Sequence, residues 1–150
     1  MSTFIGKYEV KADIKGRVFI PSAYRKLLPE TDRDRLVMRR DTDNDCLVMY
    51  PVPVWNAKVE ELKSALDEWN PEDQLMLMHY VSEAEWVDID SQGRVLISRR
   101  HLQEIGVEST EMLFVGMIDR FVLWGKPNYE KAGVPRQQLA DRLKEKMMRK

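Results

Sequence analysis

Two aspartates, Asp13 and Asp90, are each followed four residues later by an arginine, Arg17 and Arg94, with Gly16 and Gly93 between them. Both segments read D-x-x-G-R-V-x-I. Two chemistries are open to such residues. Carboxylates related by a repeat can share general acid–base work, which requires environments that push their pKa values apart. An aspartate facing an arginine across a tight turn instead forms a charge-assisted bridge that lowers the carboxyl pKa and stiffens the loop. Basic side chains on the flanking strands then stand ready for phosphates or guanine edges. The arginine beside each acid favours the second arrangement, and a hydrolase built on Asp13 and Asp90 is the alternative it displaces. His79 and His101 lack metal-ligand spacing with each other or with Cys46, and there is no Gly-rich phosphate loop or serine elbow. Neither metal, cofactor nor small-molecule substrate is expected, and the chain is read as a non-enzyme.

The elements that must hold these residues repeat with them. A constant offset of 77 positions relates the two phrases, pairs Val10 with Val87, and aligns Leu36-Val37-Met38 with Leu113-Phe114-Val115. In the first copy, alternation in Ile5–Val10 and the apolar run Val18–Ile20 predict two strands joined at Ile14-Lys15-Gly16 as a hairpin-like unit. Pro21-Ser22 opens a short helix, Ala23–Leu28, and strands follow at Arg35–Arg39 and Cys46–Tyr50. The second copy predicts strands at Glu85–Ile89, Val95–Ile97, Met112–Met117 and Phe121–Trp124, with a helix over Arg99–Ile105. Tyr50 then aligns with Trp124, and Trp55 with Tyr129, at a shorter offset of 74. Strand, turn, strand, helix, strand, strand, twice over, predicts a mixed α/β, mainly β, pseudo-two-fold small barrel.

Between the halves, Trp55, Val59, Leu62, Leu66 and Trp69 recur at helical spacing. Asn70-Pro71-Glu72-Asp73 carries the start signals of a second helix, running to about Tyr80. Leu75, Met76, Leu77, Met78 and Tyr80 make that helix apolar on more than one face, so it needs cover from the chain or from another subunit. A third helix is predicted in Pro135–Lys150, with Leu139, Leu143 and Met147 on one side and basic residues around them. The organisation is a first half at 1–54, a helical connector at 55–81, a second half at 82–128 and a helical tail at 129–150.

Composition sets outer bounds. With 43% apolar and 33% charged residues, the 150-residue chain is a folded protein, not a disordered one. No run approaches the roughly 20 apolar residues of a membrane span, and the N-terminus lacks an apolar leader segment, so a cytoplasmic location is expected. Lone Cys46 lies in an apolar run and reads as a small core residue. The net charge of −1 argues at first against a nucleic-acid partner. The charges are segregated, however: Lys7, Lys11, Lys15, Arg17, Arg25 and Lys26 crowd the first motif, whereas Glu60, Glu61, Asp67, Glu68, Glu72 and Asp73 make the connector acidic.

The two D-x-x-G-R phrases, Ile20-Pro21, Cys46-Leu47-Val48-Met49-Tyr50-Pro51, Trp55, Asn70-Pro71 and Phe121-x-x-Trp124 together resemble the MraZ family of bacterial transcriptional regulators, built from two AbrB-type swapped-hairpin half-motifs. The resemblance spans nearly the whole chain. It implies sequence-specific binding to repeated short boxes of double-stranded DNA upstream of the cell division and cell wall gene cluster, association with the nucleoid, and ring-shaped homo-oligomers. It also implies that DNA is met by Lys15 and Arg17 in the first turn and by Arg94 in the second. From the residue pattern itself, Arg25, Lys26, Arg99 and Arg100 are expected to supply backbone contacts, and Asp13, Gly16, Asp90 and Gly93 to brace the turns. Gln92 stands where the first turn has Lys15, and Ser98 where the first has Pro21, so the first half is expected to carry more of the phosphate-facing charge. The acidic Glu72-Asp73 segment departs from the basic character usual in relatives. An antitoxin-like or scaffolding module of the same fold is the competing function; such proteins usually carry one motif copy and a disordered tail.

Overall fold

Side chains alternate in and out along every long strand, and that alternation gives the molecule two apolar layers on opposite faces of one sheet. The computed structural model describes residues 3–106 and 111–149; Lys150, counted above in the basic tail, lies outside the described residues. In chain order the elements are β1 (Lys7–Lys11), β2 (Arg17–Phe19), α1 (Ser22–Arg25), β3 (Arg35–Arg40), β4 (Cys46–Pro51), α2 (Val52–Ala65) and α3 (Pro71–Ser82). There follow β5 (Glu85–Asp88), β6 (Arg94–Leu96), α4 (Arg99–Glu104), β7 (Glu111–Met117), β8 (Arg120–Gly125), α5 (Lys126–Ala132) and α6 (Arg136–Met148).

The strands make a six-stranded antiparallel sheet in the order β1-β7-β8-β4-β3-β5, and a separate two-stranded ribbon of β2 with β6. Exchanging the halves reverses the sheet order onto itself, which is the expected pseudo-two-fold relation. The hairpin-like unit predicted at Ile5–Ile20 is not formed. β1 pairs with β7 of the other half, and β2 pairs with β6, Val18 opposite Val95. Hydrophobic alternation specifies which face of a strand is buried but not which strand lies beside it, so an exchange of partners leaves the pattern unchanged.

A second correction concerns register. The aligned triplet is not Leu113-Phe114-Val115: in the fold, Leu36 and Met38 correspond to Met112 and Phe114, all four in the inner core, while Val37 faces the opposite layer. The offset is therefore one residue shorter in β7 than in the turns. A one-residue slip turns every side chain to the other face, so burial decides between the two alignments. In β8 the shorter offset read from the sequence fits: Tyr50 packs on Trp55 at 5.4 Å, and their counterparts Trp124 and Tyr129 pack at 5.8 Å.

The inner core joins Leu36, Met38, Leu47, Met49, Met112, Phe114, Phe121 and Leu123 of the sheet to Val18 and Val95 of the ribbon, with Tyr24, Leu28 and Ile105 closing its ends. Cys46 is buried, and desolvation pushes its thiol up to about 12. On the other face Val37, Val48 and Tyr50 meet Trp55 of α2. Trp55 stacks on Tyr80 of α3 at 5.8 Å, and the Arg39 guanidinium caps the Tyr80 ring at 3.8 Å while its Nε donates to the Tyr80 carbonyl at 3.0 Å. These contacts fix the helical pair to the sheet.

α3 starts where its signals predict. The Asn70 side chain accepts from the backbone N–H groups of Glu72 and Asp73, Pro71 occupies the first turn, and the two acids face the positive end of the dipole. α2 ends at Ala65, so Trp69 lies beyond the helix assigned to it and is exposed. α5 repeats the opening of α2: Pro127 and Pro53 each stand in the first turn. The inner core depends on Phe121, which packs against Phe4, Tyr24 and Phe114 at ring separations of 5.1, 4.9 and 5.7 Å. Phe121→Ala is expected to cost about 3–5 kcal/mol, measured by urea unfolding; a loss below about 1 kcal/mol would contradict this packing.

Candidate nucleic-acid interface

Each motif aspartate ties its turn closed with both carboxylate oxygens. Asp13 Oδ1 accepts the backbone N–H groups of Lys15 and Arg17, both at 2.9 Å, and Oδ2 accepts Arg17 Nε at 2.7 Å. The second turn repeats this atom for atom: Asp90 Oδ1 accepts from Gln92 and Arg94 N–H, and Oδ2 from Arg94 Nε, all at 2.9 Å. The backbone completes both loops, with Gly16 N–H on Asp13 O at 3.0 Å and Gly93 N–H on Asp90 O at 2.9 Å. Gly16 and Gly93 take φ of +89° and +84°, a region that L side chains rarely adopt. A Cβ on Gly16 would also lie 2.5 Å from the Ile97 carbonyl.

These bonds hold both aspartates below the ordinary carboxyl value, first through the backbone N–H of the motif arginine, then through the Arg17 guanidinium at Asp13 and through the Gln92 N–H ahead of the Arg94 guanidinium at Asp90. Each carboxylate is consumed by its own turn. A proton-sharing pair needs one raised pKa, so the arrangement does not suit the acid-pair hydrolase considered above. Among the described residues no group of three or more His, Cys, Asp or Glu is placed to hold a metal ion. A cavity of about 600 Å³ beside the β3–β4 loop is lined by Arg39, Arg40, Glu83, Glu85, His101 and Glu104, among others. Its arginines are engaged by acids, Arg40 with Asp45 and Glu104, Arg39 with Glu83 at 3.7 Å and Arg100 with Glu85 and Glu104, and His101 Nε2 lies 3.6 Å from Glu85.

The two turns flank the ribbon, and each is tied to the other half: Ile20 N–H donates to Gly93 O and Ile97 N–H to Gly16 O, both at 2.9 Å. Val18 and Val95 face the core. By alternation the opposite face carries Arg17 beside Leu96, then Phe19 beside Arg94. Phe19 and Leu96 are more than half exposed, and Arg94 lies 5.8 Å from the Phe19 ring centroid. The repeated phrase marks the arginines of this face in the sequence but not its two apolar residues. The alternation Val18 in, Phe19 out was the available signal.

The other predicted residues fall around this ribbon with different freedom. Lys15 is exposed at the first turn and Gln92 at the second. Arg25 is half-buried, donates Nε to the Ile20 carbonyl at 3.2 Å, and packs its guanidinium against Gly93, so a first-half arginine reinforces the second turn. Lys26 is exposed at the end of α1, and Arg99 is exposed at the start of α4. Arg100 is drawn to Glu85 at 3.8 Å and Glu104 at 3.4 Å. Ser98, where the first half has Pro21, caps α4 by accepting from His101 N–H at 3.1 Å.

The chain matches the family described as MraZ protein, antitoxin-like, over residues 3–78 and 80–146. It is 43% identical over 131 residues to the transcriptional regulator MraZ of Bacteroides fragilis, covering 87% of this chain and 82% of that protein. It is 40% identical over 147 residues to the protein of the same name from Bacteroides thetaiotaomicron, covering 98% and 94%. A third relative of that name, from Christiangramia forsetii, is 30% identical over 130 residues, covering 87% and 83%.

The turn chemistry sets an acid limit on stability. Both carboxyls are held below 3.8 in the fold. The bonds they accept therefore contribute fully above about pH 4 and are lost as pH falls through the depressed folded-state values. Replacing both Asp13 and Asp90 with Asn is expected to lower Tm at neutral pH and to flatten the further fall of Tm on acidification. A double variant that melts like wild type across this range would contradict the bracing role.

Proposed function

The chain belongs to the MraZ family, and on that premise we propose that it is a cytoplasmic, nucleoid-associated transcriptional regulator that binds repeated short boxes of duplex DNA as a homo-oligomeric ring. The boxes lie upstream of the cell division and cell wall gene cluster. The observation that carries this reading is the ribbon's outer face, where two arginines held by aspartates stand between two rigid turns. A two-stranded ribbon fits the major groove of B-DNA, and a guanidinium fixed at Nε keeps its remaining N–H groups for guanine edges or phosphates. Preorganised side chains lose little freedom on binding, which supports affinity from few contacts.

Lys15 serves as a phosphate contact of the first turn, and Gln92 makes the second turn weaker in charge. Lys26 and Arg99 flank the ribbon as backbone contacts, Arg25 positions the second turn, and Arg100 acts only after leaving its acidic partners. A net charge of −1 suits this mode of action, because several subunits presenting one ribbon each to neighbouring boxes multiply modest affinities through effective concentration. Closure of sheet and ribbon into the small barrel of two AbrB-like halves belongs to the same proposal. The antitoxin-like or scaffolding reading has less support, since both motif copies share one ribbon and the tail is the regular helix α6 rather than an unpatterned segment.

Fluorescence anisotropy on duplex DNA from the protein's own upstream region tests the reading. Lys15→Ala leaves the Asp13 bonds in place and is expected to reduce the salt slope by about 1. Arg17→Ala is expected to weaken binding roughly tenfold or more, as loss of a guanine or fixed phosphate contact does. Unchanged affinity and salt slope in both variants would remove the ribbon from the interface.

A further inference from the structure

Two helices present apolar side chains that their own chain leaves uncovered. On α3, Leu75, Met76 and Met78 are about half exposed, and Trp69 stands 85% exposed at the helix's N-terminal end. The turn that carries Trp69 is braced: its backbone N–H donates to Asp67 Oδ1 at 2.9 Å, and Asp67 N–H donates to Asp73 Oδ2 at 2.9 Å. An indole held outward by a rigid turn is the kind of residue that anchors interfaces. On α6, Leu139, Leu143 and Met147 recur every four residues and are all exposed, and no residue of that helix is buried.

The charges around the two stripes are opposite. The α2–α3 pair carries Glu60, Glu61, Asp67, Glu68, Glu72 and Asp73 against Lys58 and Lys63. α6 with its C-cap residue carries Arg136, Arg142, Lys144, Lys146 and Arg149 against Asp141 and Glu145. Two other exposed apolar patches fit α6 less well: Phe19 with Leu96 is flanked by Arg17 and Arg94 and would repel it, and beside Ile5, Met117 and Ile118 the acid Asp119 is already engaged by Arg120. Packing of α6 on another α6 would also bring like charges together.

We propose that α6 of one copy of this chain docks on α3 of a neighbouring copy, its Leu139-Leu143-Met147 stripe covering Leu75, Met78 and Trp69. This deepens the oligomeric reading above and rests on it. The contact joins two different surfaces, so it is heterologous: every subunit gives α6 to one neighbour and receives α6 from the other. Repetition of such a contact closes into a ring when the rotation permits. Acidic residues around α3 set the direction of the pairing by meeting the basic flanks of α6. The ribbon faces stay uncovered for DNA.

The test uses the full chain with Met78→Cys in one preparation and Leu143→Cys in another; native Cys46 is buried and does not compete. A thiol-reactive bismaleimide is expected to give a covalent dimer in the mixed sample and none in either sample alone. Leu143→Glu is expected to lower the mass seen by light scattering while far-UV circular dichroism still shows a folded chain, since no residue of α6 is buried within its own subunit. A wild-type monomer would overturn both this interface and the ring. An oligomer that survives Leu143→Glu, or that shows no cross-link in the mixture, would overturn this interface alone. Cross-linking of the Leu143→Cys preparation by itself would also overturn it, by placing α6 against α6.

Discussion

Two aspartate side chains, each gripping two backbone N–H groups and one guanidinium Nε, are the constraint on which the rest of this molecule depends. The bonds close a loop at Asp13–Arg17 and again at Asp90–Arg94, and neither loop leads into an ordinary hairpin. The chain leaves each loop aimed at the other half, where β2 meets β6 and β1 meets β7. Strand exchange then places Val18 and Val95 together in the core and threads both halves through one sheet. The halves are held by mutual pairing, so neither has a complete set of strand partners without the other.

The same bonds give the motif arginines two tasks. Arg17 and Arg94 are functional candidates because they are structural: the aspartate that uses Nε also fixes where the rest of each guanidinium stands. The copies are unequal in their surroundings. In the first half Tyr8 and Tyr24 pack edge to face at 5.1 Å, whereas the second has Glu85 and His101 at the corresponding places. Arg25 reaches across to the second turn, and its counterpart Leu102 packs against the core instead. Pseudo-symmetry is thus kept in the strand order and loose in charge: Lys15 of the first turn corresponds to Gln92 of the second, while Arg25 brings its guanidinium to the second turn.

Much of this was legible in the sequence where local chemistry decides the outcome. The Asp and Gly of both turns, the Asn70 cap, the proline-opened helices and the equivalence of Tyr50 with Trp124, each packed on the ring five residues on, follow from side chains that act on their own neighbours. The partner of each strand was not legible, because period-two alternation is blind to which strand lies alongside. The single-residue shift in β7 was hidden for the same reason, since Leu113-Phe114-Val115 and Met112-Leu113-Phe114 are equally apolar. Trp69 continues the helical spacing of α2, yet that helix ends at Ala65 and the Asp67 and Asn70 bonds turn the chain on either side of Trp69. Exposure of α3 could be posed from its two apolar faces, but only the placement of the sheet and α2 shows which face stays open. The candidate site was legible as charge and turn; its apolar half, Phe19 and Leu96, required the ribbon.

Hydrogen–deuterium exchange of the full chain, with and without duplex DNA from its own upstream region, tests the central claim most directly. The account predicts that DNA slows exchange in the segments 13–20 and 90–97, with the larger effect in the first, while α3 is unchanged. Protection confined to α3, α6 or the β3–β4 loop, with both turns unaffected, would contradict it.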